Sequence, residues 1–309
     1  MGRTVLVAAL RMLVTVLLAV TFVFVILRVS GDPIRALLSL DAPEELVQLM
    51  RAEWGLDQPL HIQFIRYVGH LLAGDFGRSL NDGRSALVVV LEKVPATLLL
   101  MGTGLAVSLV AGTSLGVLAA MHRGTVIDRL VMTNAVLVHS VPSFLVGIVL
   151  IIVFAVWLGV LPSGGGPSLR HLILPATVIG LSHAGVIARF VRSSTLEVLA
   201  QPYVKVASLK PLPRWYMLSA HVLPGAALPL LTLIGFSLGA MIGGAAIVES
   251  IFAWPGVGRF LVAAVAKRDV AVVQSIVILV AVMMATANLL TDLLYAIFDP
   301  RLREPRRAS

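Results

Sequence analysis

Polar residues standing inside apolar sequence are the first places where chemistry could occur. Ser182-His183 lies within a long hydrophobic run and would suit an intramembrane hydrolase. A neutral histidine satisfied inside a helical bundle is the competing reading, and the one adopted. Asp292, with Asn288 one turn earlier, would mark a proton or ion path, because acids inside membrane helices are functional by default. Asp292 also lies within about two turns of the end of its run, where pairing with a basic loop residue would serve structure alone. No HExxH, G-x-S-x-G or P-loop occurs, and no His/Asp/Glu set has metal-ligand spacing. Gly164-Gly-Gly166 reads as a turn, since no Lys-Ser/Thr follows to hold a phosphate. With no cysteine, disulfides and thiolate ligands are excluded. The expectation is a chain with no catalytic, metal or cofactor-binding residue of its own, so active transport would require an ATPase from another chain.

The polar stretch Gln201 to Pro229, QPYVKVASLKPLPRWYMLSAHVLPGAALP, stands between hydrophobic runs. On composition it is either a loop whose basic residues orient its neighbours, or a short helix on the membrane face that docks a soluble partner. In the second reading Ala207, Leu209 and Leu212 would offer apolar contact, Tyr203 and Trp215 aromatic anchors, and Lys205 and Arg214 peripheral charge, with Lys210 and Pro211 among them.

The elements that must carry these residues are set by hydropathy. The chain has 309 residues, of which 58% are hydrophobic and 13% charged, and its mean hydropathy is +0.97. A soluble domain carries roughly 25% charged residues, so this chain is integral to a membrane. The runs suit helices and show no barrel alternation. Six spans are expected, at about 5–27, 95–120, 130–158, 171–195, 223–248 and 270–297. The first is read as a retained helix, with Arg11 reaching toward the headgroups. Glycines and serines near Gly102–Gly116 and Ser237–Gly244 would let helices approach closely.

The long polar interval 30–93 is expected to hold two amphipathic helices. One starts at Asp41-Ala-Pro-Glu44 and carries Leu46, Leu49, Met50 and Trp54 on one face. The other runs from about His61 to Leu72. Such pieces either cap the spans or receive a partner. Thirteen lysines and arginines against four acids fall on the side of the termini, while the opposite side balances eleven against eleven. The positive-inside rule therefore puts both termini in the cytoplasm, and the excess of base reflects orientation, not nucleic acid. The expected organisation is a first helix over 1–29, an external loop over 30–93, a five-helix core over 94–298 containing the loop 201–222, and a cytoplasmic tail over 299–309.

Several short segments in order resemble one family. They are Gly31-Asp32-Pro33, Trp54-Gly-Leu-Asp-Gln-Pro-Leu60, Gly74-Asp75-Phe-Gly-Arg-Ser79, Pro95-Ala-Thr97, Leu161-Pro162, Arg189 and Arg192-Ser-Ser194. Tyr203-Val204, Ala207, His221, Leu223-Pro224 and Leu228-Pro229 follow, then Glu249-Ser-Ile-Phe252, Trp254-Pro-Gly-Val-Gly258, Arg268-Asp269 and Asp299-Pro-Arg301. Over nearly its whole length the chain resembles DppB/OppB-type permeases, the inner-membrane subunits of peptide ABC importers. The resemblance implies an all-α integral membrane protein with six transmembrane helices in the type I importer permease fold. It also implies a sister permease, two cytoplasmic ATPases that hold ATP and Mg, an external solute-binding protein and a peptide cargo. Glutathione, nickel chelates or haem-like compounds are alternatives. The loop 201–222 would be its ATPase-coupling loop, with Leu209 and Pro211 departing from the family's alanine and glycine. Asp41, Trp54, Asp75, Glu249, Phe252, Trp254, Arg268 and Asp269 would form the external gate or receive the binding protein. A secondary carrier using Asp292 is the alternative of another class.

Overall fold

The computed structural model describes residues 2–29, 43–53, 56–166, 168–202, 204, 216 and 223–298. The apolar runs fall on helices: α1 (Gly2–Val29), α5 (Val94–Met121), α6 (Val126–Ser140), α7 (Ser143–Leu150), α8 (Leu169–Leu199), α9 (Leu223–Ile251) and α11 (Val270–Phe298). The polar interval supplies α2 (Glu44–Glu53), α3 (Leu60–Leu72) and α4 (Ala86–Leu91), and α10 (Val257–Ala266) lies between α9 and α11. Among the described residues, α1, α5, α8 and α11 each contain a stretch long and apolar enough to cross a membrane.

The third run departs from expectation. It is not one helix over 130–158 but α6 and α7 bent by 103°, continued by a π-helical turn over Ile151–Trp157. Pro142 explains the break. It has no amide to donate, and its ring drives Val141 to extended backbone, φ −84° and ψ 127°. The wide turn closes with the Leu158 amide donating to the Val153 carbonyl over 3.0 Å.

The chain divides into two compact units. The first comprises residues 1–8, 93–262 and 286–309. Its main seam joins α5 and α8 along small residues. A side-chain carbon added to Gly112 would lie 2.7 Å from Ile187 Cβ, and one added to Gly116 would lie 2.6 Å from the Ala188 carbonyl oxygen. Gly104 meets Ile179 and Gly116 also meets Val191; with Gly112 against Ile187, these three contacts share one sequence offset, so the helices run parallel. Gly112-Thr-Ser-Leu-Gly116 thus works as a small-xxx-small face, which lets backbones meet where no hydrophobic effect drives association. Leu100, Met101, Val178, Met241, Val248 and Phe252 fill the core beside this seam.

The second unit comprises residues 9–92 and 263–285. Here α3 lays Phe64, Tyr67 and Val68 against Val20 and Val23 of α1, with Phe24 edge-on to Phe64 at 5.2 Å between centroids. Arg28 Nε donates to Gln63 Oε1 over 2.8 Å. The Gln63 amide in turn donates to the carbonyls of Leu56 and Gln58 over 3.0 and 2.7 Å. The amphipathic helix over 60–72 therefore caps a span, the first of the two roles its pattern allowed. The Tyr67 hydroxyl lies 3.5 Å from Gln274 Oε1. Burial raises its pKa to about 12, against the opposing pull of Arg28.

Candidate functional site

Glu249, in the last turn of α9, is wholly enclosed at 0% exposure. A carboxylate in apolar surroundings persists only if its oxygens are hydrogen-bonded. Oε1 accepts the Thr97 hydroxyl over 2.7 Å and Oε2 accepts the Arg259 amide over 3.0 Å. The same Thr97 oxygen accepts the Val257 amide over 2.8 Å. The opening amides of α10, which have no partner inside their own helix, are thus satisfied by Glu249 and Thr97. Any side chain at Gly256 would collide with the carboxylate.

Trp254 reinforces the joint. Its Nε1 donates to the Ala96 carbonyl over 2.9 Å and its amide to the Glu249 carbonyl over 2.8 Å. Between them Ala253 turns left-handed, φ 50°, which ends α9 at a cost of about 1–2 kcal/mol for a residue with a Cβ. The Gly165 amide donates to the Phe252 carbonyl over 2.9 Å. Gly164, at φ 152°, passes so close to that carbonyl that a Cβ would overlap it. The glycine triplet is a turn fitted to backbone.

In the other unit Asp269 stands before α11. Its Oδ2 accepts the Ser79 hydroxyl over 2.6 Å, the Leu80 amide over 3.1 Å and the Asn81 side-chain amide over 3.2 Å. Oδ1 accepts the Val272 amide over 3.3 Å. Asp269 thus caps a helix and ties down the loop after Gly77. Asp75 is exposed, bonded to the Gly77 amide over 3.0 Å and to His70 over 3.3 Å. Arg268 is exposed and left-handed, φ 55°.

The expected external set therefore separates by exposure. Asp75 and Arg268 have free surface, whereas Glu249, Phe252, Trp254 and Asp269 are 0%, 1%, 4% and 2% exposed. As placed, these four hold backbone together and offer no surface to a binding protein. Asp41 and Trp54 lie outside the described residues, as do Tyr203, Lys205, Ala207, Leu209, Lys210, Pro211, Leu212, Arg214 and Trp215. His183 Nδ1 lies 3.0 Å from the Ile179 carbonyl, and the Ser182 hydroxyl donates to the Val178 carbonyl over 2.8 Å. Each is occupied by its own helix, and neither is bonded to the other. Asp292 is half-buried near the end of α11.

One constellation went unread in the sequence. Asp128, in the first turn of α6, is buried and gripped by Arg192 of α8 through Nε–Oδ1 and Nη2–Oδ2 bonds of 2.6 and 2.7 Å. The Gly124 amide adds 2.9 Å to Oδ2. In the sequence both residues count as charges on the side of the termini, Arg192 among the thirteen bases and Asp128 among the four acids, and Arg192 is also part of a motif. An acid in a helix's first turn and an arginine near a helix's last turns were the available signals, and neither names the other.

Residues 112–304 match the family described as "Binding-protein-dependent transport system inner membrane component". The chain is 38% identical over 290 residues to the glutathione transport system permease protein GsiC of Salmonella paratyphi A, covering 94% of this chain and 95% of that one. It is 38% identical over 273 residues to GsiC of Escherichia coli K12, covering 88% and 89%. It is 37% identical over 291 residues to the "Probable peptide ABC transporter permease protein y4tP" of Sinorhizobium fredii, covering 91% and 93%. With helices as its elements among the described residues, several of them of membrane length and apolar, and with this likeness, the chain belongs to the family of binding-protein-dependent transport system inner membrane components.

Proposed function

We propose that the chain is one transmembrane half of an ATP-driven importer of short peptides. The observation that supports this reading is the likeness, along 91% of the chain, to a probable peptide ABC transporter permease protein. The chain pairs with a sister permease, two cytoplasmic ATPases holding ATP and Mg, and an external solute-binding protein. Both termini are cytoplasmic. Residues 203–215 receive the ATPase, and closure of the ATPases switches the path between inward- and outward-open states. The exposed Asp75 and Arg268 receive the binding protein, while the Glu249–Thr97 joint holds the outer ends of two spans in the gate. Glutathione, a substrate with peptide character, is the second cargo reading, supported by the names of the relatives from Salmonella and Escherichia.

Reconstitution with the partner subunits in proteoliposomes tests both. ATP-dependent uptake of a labelled dipeptide, requiring the binding protein, is expected; uptake of labelled glutathione in its place selects the second cargo. Uptake without ATP that Asp292→Asn abolishes would replace the importer with a secondary carrier.

A further inference from the structure

Resting on that reading, we propose that Asp128 and Arg192 form a strut. It makes α6 move with the end of α8, the helix that runs directly into the coupling segment 201–222, and so carries ATPase-driven displacement into the third span.

The geometry shows two fixed points between α6 and α8. At one, Gly185 packs so closely on the backbone of Ala135 that an added Cβ would lie 2.5 Å from its carbonyl oxygen. At the other, seven residues along each helix, Arg192 grips Asp128 with both nitrogens. Asp128 precedes Ala135 while Arg192 follows Gly185, so the helices are antiparallel and in register. The spacing is two turns on each, about 10 Å. A single contact would let the helices pivot about it; two contacts this far apart remove the pivot. The bond is also well made. Two guanidinium nitrogens donate to the two carboxylate oxygens, Asp128 is buried, and the Gly124 amide fixes its second oxygen.

Arg192 is seven residues from the end of α8 at Leu199, so displacement at that end reaches it through continuous helix. From Asp128 the displaced helix leads to the bend at Pro142, where it changes direction by 103°. Asp128 and Arg192 are thus positioning residues: neither needs to touch cargo or nucleotide.

The test uses the whole reconstituted complex, with cargo uptake and ATP hydrolysis measured together. Asp128→Asn and Arg192→Gln are expected to leave the ATPases bound and hydrolysing. Uptake per ATP should fall roughly 2- to 30-fold, the span that altered coupling of this kind produces. In this cysteine-free chain, the double variant Asp128→Cys/Arg192→Cys should show the same loss. Bridging its thiols with a short bis-methanethiosulfonate should restore the ratio, because a strut that never opens tolerates a covalent one. An unchanged ratio in the single variants, or abolition of uptake by the bridge, would overturn the strut. Loss of folding in the single variants leaves the bridge to decide. Absence of ATP-dependent uptake by the wild-type complex would instead refute the importer reading itself.

Discussion

The Thr97 hydroxyl sits between Glu249 and Val257, donating to the Glu249 carboxylate over 2.7 Å while accepting the Val257 amide over 2.8 Å. One side chain thereby links the start of α5, the end of α9 and the start of α10. Each partner is buried, so the link is worth most through what its loss would leave unsatisfied. Thr97→Val keeps the shape and removes both bonds. It is expected to destabilise the protein by about 1–3 kcal/mol for each buried group left without a partner. Glu249→Gln, which keeps an acceptor for the α10 amides, should cost less than Glu249→Ala. Thermal unfolding in detergent measures the order. Equal losses for Gln and Ala would remove the hydrogen-bonding explanation.

The α5–α8 seam predicts contrasting effects of one substitution. Gly116→Ala drives a methyl toward the Ala188 carbonyl and should cost about 1–3 kcal/mol through overpacking. Gly102→Ala, on the same helix with open space around it, should be neutral or up to about 1 kcal/mol stabilising through helix propensity. Melting temperatures of the two variants moving together would contradict the seam.

Tyr67 supplies a test in pH. Its folded pKa of about 12 stands above the ordinary 10.0, so the folded state holds the phenolic proton more tightly than the unfolded chain. That contribution to stability is complete below pH 10 and fades as pH rises from 10 through 12. Difference absorbance between wild type and Tyr67→Phe should therefore show phenolate appearing late. A transition at pH 10 would indicate an exposed ring.

Orientation is open to labelling, since the natural chain has no cysteine to remove. A cysteine at Asp82, whose side chain is exposed, should react with an impermeant thiol reagent from outside intact cells. One at Arg303 should react only after permeabilisation. The reverse pattern would turn the protein over in the membrane.

The coupling segment carries its own expectation from sequence. Ala207→Asp or Leu209→Asp places a charge in a contact expected to be apolar, at a cost of several kcal/mol if it is buried unpaired. Co-purification of the ATPases should fall while insertion continues. Full transport by both variants would move the coupling contact elsewhere.

Legible in the chain alone were the membrane class, the apolar runs with ends within a few residues of the observed helices, the amphipathic helix over 60–72, and the family. These are local properties: length of apolar sequence, its period, and short motifs in order. Pro142 was equally visible, but the 103° turn of the third run at that proline shows only in the folded chain. That Glu249 is buried and joined to Thr97 was not legible in the chain. The reason is physical. A carboxylate's role is set by the donors around it, and those of Glu249 include Thr97, 152 positions away. Asp128 likewise becomes half of a buried pair only when folding brings Arg192 from 64 positions away. Charge and residue type are written in the chain; the company each charge keeps is a product of packing.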